Sequence, residues 1–146
     1  MISLPFKKPP GTRCKKIHPV KGTPYESKNT RGLHFHAVVV PTHADFMRIN
    51  QESQFPKDAV SASGVPCAAV WGLDKPIGGL IGLILFSAES LCPENIAHEA
   101  THAALAYEKH RQKRTTITIS HDEEPLAYAV GAITDQLVRF LNKHFG

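Results

Sequence analysis

Ile96-Ala97-His98-Glu99-Ala100-Thr101-His102-Ala103-Ala104-Leu105 is the stretch on which the reading of this chain turns. Pro93 precedes it and suits the first turn of a helix, where its missing N–H would be unpaired in any case, so a helix is predicted over residues 93–109. His98 and His102 then stand one turn apart on one face, where both imidazoles can aim at a single zinc ion. Glu99 projects beside them and can accept a proton from water on that metal without being a ligand. With nine His and eight Glu in 146 residues, an accidental H-E-x-x-H is expected only about 0.03 times. Ala97, Ala100, Ala103 and Ala104 let neighbouring elements approach closely, as a buried metal-bearing helix requires and a solvated one does not.

A catalytic zinc site needs a third protein ligand and an open fourth position, so the next helix matters. Leu126, Val130, Ile133, Leu137 and Phe140 or Leu141 recur at three and four residue intervals, which predicts an amphipathic helix reaching the C-terminal end. Asp122 can cap it, and Glu123 and Glu124 open it. Here the chain resembles the gluzincin branch of the zincin metallopeptidases, in which H-E-x-x-H is followed some twenty or more residues later by a glutamate in an E-x-x-A or E-x-x-S setting. Glu124-Pro125-Leu126-Ala127 fits that pattern, beginning 22 residues after His102.

The resemblance spans residues 90–138 and implies zinc on His98, His102 and Glu124, with Glu99 as general base. Glu123 is the next candidate ligand, because a one-residue change in the helix start rotates the two carboxylates by about 100°. His121 is the third. The metzincin continuation is absent, since Leu105 and Glu108 stand where its glycine and histidine would be. Gluzincins carry an aspartate four residues after the glutamate ligand; Tyr128 occupies that position and could replace its hydrogen bond or contact substrate. Tyr107, Arg114, His121 and Tyr128 are candidate electrophiles for the transition state. The segment after Glu124 is also similar to small peptidase-like proteins of phage and prophage origin.

Working back toward the N-terminus, residues 33–40 (LHFHAVVV) read as a first core strand stopped by Pro41; His34 and His36 share one face, where they could pair on a metal but, without a third ligand nearby, read as polar strand residues. Thr42 can cap a short helix over residues 43–53. Residues 65–73 (VPCAAVWGL) and 81–86 (IGLILF) read as two strands of a hairpin turned near Gly78-Gly79, and residues 115–120 can be extended. The fold class expected is therefore α+β. It is a small zincin-like domain with an antiparallel or mixed sheet of about three to four strands, packed on the H-E-x-x-H helix and a C-terminal ligand-bearing helix. Zincins bind extended substrate along a sheet edge, and residues 81–86, leading into the metal helix, form the strand expected nearest the site.

Residues 1–31 differ in texture, with five prolines and eight Lys or Arg against Glu26 alone, a net +7. The remaining residues 32–146 carry −3, so the formal charge of +4 belongs to the leading segment. That segment is expected to be a basic, proline-rich extended arm ahead of a single metallopeptidase domain, able to contact an acidic partner. Its lysines are not interleaved with aromatics for base stacking, which disfavours nucleic acid.

No run approaches the roughly 18–20 apolar residues of a membrane helix, and the N-terminus lacks the apolar block of a secretory signal, so a cytoplasmic protein is expected. Cys14, Cys67 and Cys92 form an odd set without C-x-x-C spacing and read as reduced thiols. The expected activity is zinc-dependent peptide-bond hydrolysis on a protein or peptide substrate. The rival reading is a non-catalytic metal-site protein that regulates a partner through its basic arm.

Overall fold

A computed structural model of the chain describes residues 6–28, 30, 32–52, 59–60, 68–112 and 123–145. Its elements run β1 (Arg13–Ile17), β2 (His34–Val40), α1 (His43–Glu52), β3 (Ala59–Val60), β4 (Ala68–Ile77), β5 (Leu80–Ser87), a 3-10 turn (Ala88–Ser90), α2 (Pro93–Gln112) and α3 (Glu124–Phe145). The strands form one mixed sheet in the order β1-β2-β5-β4-β3. β2 and β5 pair in parallel at its centre, and the other pairs are antiparallel.

Strand alternation sorts the sheet residues onto two faces. Val38, Val40, Ala69, Trp71, Leu83 and Leu85 pack with Phe46 and Ile49 of α1. Phe35, Val39, Val70, Ile84 and Phe86 face the other way, against Ile96, Ala103 and Tyr107 of α2 and Ile133 and Leu137 of α3. The result is three layers, α1 over one face and the pair α2–α3 over the other. Both faces being covered explains why β5 reads as an almost continuous apolar run.

The expected α+β class and mixed sheet are present, with β1 and the two-residue β3 added to the strands anticipated. The β4–β5 hairpin turns at Gly78 and Gly79, whose φ values of 57° and 87° are those of a two-residue turn with both central residues left-handed. Thr42 caps α1: its hydroxyl oxygen accepts from the Asp45 N–H at 3.0 Å, while the hydroxyl donates to the Asp45 carboxylate at 2.8 Å. Residues 115–120 lie outside the described residues.

Composition predicts an extended, basic arm over residues 1–31, and the described part of that segment also contributes to the sheet and the core. Residues 13–17 are extended, but they are an edge strand paired with β2. Ile17 and Val20 are buried in the core. Within β1 a single buried side chain, Ile17, suffices among lysines, because only one face of an edge strand has to be covered, and Val20 follows in the turn after it. Among the described residues no helix is long and apolar enough to cross a membrane, and Cys14 and Cys92 are free thiols.

Candidate metal centre

α2 starts as its sequence predicts, with Pro93 in the first turn and the Ile96 N–H donating to the Cys92 carbonyl at 3.1 Å. It lies across β4 and β5, chiefly on β4, and packs along α3. Ala100, Ala103 and Ala104 are fully buried and allow the close approach expected of them, whereas Ala97 is exposed and takes no part.

His98 and His102 are both half-buried, and their Nε2 atoms converge to 3.2 Å with ring centroids 4.8 Å apart and ring planes at 67°. Zinc–imidazole bonds of roughly 2.0–2.1 Å in a tetrahedron put two donor nitrogens roughly 3.3–3.4 Å apart. The separation in this chain is close to that figure. The same 3.2 Å is also the length of a hydrogen bond from one ring N–H to the other nitrogen, so the pair is held together with or without an ion.

Glu99, one residue on, is rotated off that ridge into the protein and is fully buried. Neither carboxylate oxygen has a hydrogen-bond partner among the described residues. Burial of the charged form pushes its pKa up from 4.5 to about 7. The same helix shows how this fold satisfies a structural carboxylate: Glu108, also buried, accepts from Arg111 Nε at 2.9 Å and Nη2 at 2.7 Å and from Gln112 Nε2 at 3.1 Å. A lone buried carboxylate beside two converging imidazoles is costly.

The other expected site residues are placed differently. Glu124 is the first residue of α3 and, like Glu123, is exposed. Among the described residues no group of three His, Cys, Asp or Glu side chains is gathered to hold a metal. Tyr128, one turn into α3, is 41% exposed, and its ring packs on Tyr25 with centroids 5.4 Å apart. Tyr107 is buried in the core, which raises its hydroxyl pKa. His121 and Arg114 lie outside the described residues.

One arrangement has no signal in the periodicity. The Gln136 side-chain amide of α3 accepts from the His18 N–H at 2.9 Å and donates to the His18 carbonyl at 2.7 Å, locking the end of β1 to the C-terminal helix across 118 residues of sequence. Comparison with protein-family models, with curated proteins and with solved structures returns no match to this chain.

Proposed function

We propose that the chain is a zinc-dependent peptidase whose reaction centre is the His98–Glu99–His102 turn of α2. The observation that carries this reading is the 3.2 Å convergence of the two Nε2 atoms next to a buried carboxylate without a hydrogen-bond partner among the described residues. His98 and His102 would hold the ion; Glu124, with Glu123 as its rival, would complete the shell only by closing on the pair when the ion binds, since no third such group is gathered there among the described residues. Bound zinc supplies Lewis acidity and a water acidified toward a pKa of about 7.

The protein's own contribution is proton transfer. Attack of water on a peptide carbonyl releases a proton, which Glu99 accepts at a carboxylate oxygen and delivers to the departing amine as the C–N bond breaks. Burial raises the pKa of this carboxyl, which favours its holding the proton between the two transfers. No covalent enzyme intermediate is needed. Tyr128 and His121 remain candidates for contact with substrate or with the developing oxyanion.

Zinc content by elemental analysis tests the site. Wild type should carry stoichiometric zinc and His98→Ala should lose it; equal zinc in both removes the assignment. Glu99→Gln should keep zinc and show no cleavage of a peptide library followed by mass spectrometry. Glu124→Ala should weaken zinc retention more than Glu123→Ala, and the opposite order would transfer the third ligand to Glu123.

A further inference from the structure

We propose that the groove between β1 and α3 is a docking site for an acidic, extended peptide segment that pairs with the outer edge of β1. The groove has a volume of about 600 Å³, and Lys15, Lys16, Lys21, Arg139 and Lys143 line it. Among the described residues of its lining Asp135 is the one acid, and it is held by Arg139, whose Nε lies 3.2 Å and 3.1 Å from its two carboxylate oxygens. The lining thus carries +4, equal to the formal charge of the whole chain. The rest of the molecule is neutral in sum. Charge concentrated in one concave surface draws an anionic partner to that surface and not to the protein at large.

The backbone specifies which kind of anion. Among the described residues β1 is an edge strand, with β2 on one side and no strand on the other. The N–H and C=O of His18 turn outward, since both are bonded by the Gln136 amide. By the two-residue alternation of an antiparallel strand, the main-chain groups of Lys16 and Cys14 turn outward too. A side-chain amide is a peptide group in miniature. Gln136 therefore occupies the first position of an absent neighbouring strand, and the positions beside Lys16 and Cys14 continue it between two rows of cations.

An extended peptide uses both features at once: its main chain completes the ladder, and carboxylates at alternate positions meet Arg139 and Lys143 on the α3 side. A nucleic acid would use only the charge. Among the described residues of the lining, Phe140 is 5% exposed, while the imidazoles of His18 and His144 are packed on His34 and edge-on to Phe140, an arrangement poorer for base stacking than an open aromatic platform.

Fluorescence polarisation with a labelled peptide of alternating Glu and Thr tests the proposal. Its comparators are an isomer with all its Glu in one block and an oligothymidylate of equal charge. The alternating peptide should bind most tightly, weaken as salt rises, and lose roughly tenfold or more in affinity to Arg139→Glu/Lys143→Glu. Both substituted positions are exposed on α3, and a thermal melt checks folding of the variant. In the wild-type protein, amide exchange at Cys14 and Lys16 should slow when the peptide is added, a readout that needs no variant. Absence of binding, oligothymidylate binding as tightly as the peptide, affinity indifferent to the α3 charges in the folded variant, or unchanged exchange at Cys14 and Lys16 would each overturn it.

Discussion

Glu99 is a residue at which function and stability should pull in opposite directions. Its pKa in the folded chain is about 7 against an ordinary value of 4.5, so folding favours the protonated form. Below the ordinary value both folded and unfolded chains hold the proton and the side chain costs nothing by ionisation. As pH rises through that window the unfolded chain ionises first and the native state loses stability, until the folded carboxyl also ionises near pH 7. Glu99→Gln removes the ionisation while keeping the shape. In metal-free protein it should therefore raise stability at pH 8 by on the order of 1–3 kcal/mol and leave it little changed at pH 4. Urea melts at the two pH values check this, and equal midpoint shifts at both would show that the carboxylate is not isolated. The H-E-x-x-H pattern made the pair and its glutamate legible in advance, because one helical turn fixes where i and i+4 point. The third ligand was not legible to the same degree: a carboxylate at a helix start depends on the connection before it, and connections carry no period.

At the level of elements, the hairpin between β4 and β5 is where local sequence and tertiary packing meet most tightly. Gly79 has a φ of 87° and its carbonyl accepts from the His34 N–H at 2.9 Å, tying the turn to the start of β2. A methyl group there would overlap the Gly32 carbonyl, in addition to the strain of left-handed backbone in a residue with a Cβ. Gly79→Ala should cost about 2 kcal/mol or more, seen as a lower thermal midpoint. Gly22 is also left-handed, at 77°, but has open space around it, so Gly22→Ala should cost less, about 1 kcal/mol. Equal losses would mean that the contact with Gly32 contributes nothing. Glycine pairs and β-branched runs announced this hairpin, and the spacing of Leu126, Ile133 and Leu137 announced α3, because each is written in neighbouring residues. β1 was not announced. Four of its five residues are exposed, and its strand character comes from β2, which no local pattern encodes.

That dependence decides how the molecule as a whole responds to losing its leading segment. A detachable basic arm could be removed with loss of partner binding alone. β1 pairs with β2 from Phe35 to Val39, Ile17 and Val20 are 0% and 2% exposed, and Gln136 of α3 closes on the backbone of His18. Burying two such aliphatic side chains is worth roughly 1.5–3 kcal/mol each. Loss of the Gln136 clamp leaves a polar group to be resolvated, at about 1 kcal/mol for each of its two bonds to His18. The sum is a large fraction of the roughly 5–15 kcal/mol that holds a domain folded. A chain beginning at Gly32 should accordingly melt at a markedly lower temperature, or without a cooperative transition. It should also retain less zinc, because α3, which carries the candidate third ligand, loses its anchor at the sheet edge. Circular dichroism melts alongside zinc analysis test both parts. A truncated chain that melts like the full one would return residues 6–28 to the status of a separate arm. Substitution of Arg139 and Lys143, which leaves β1 in place, is for the same reason the cleaner way to separate docking from folding.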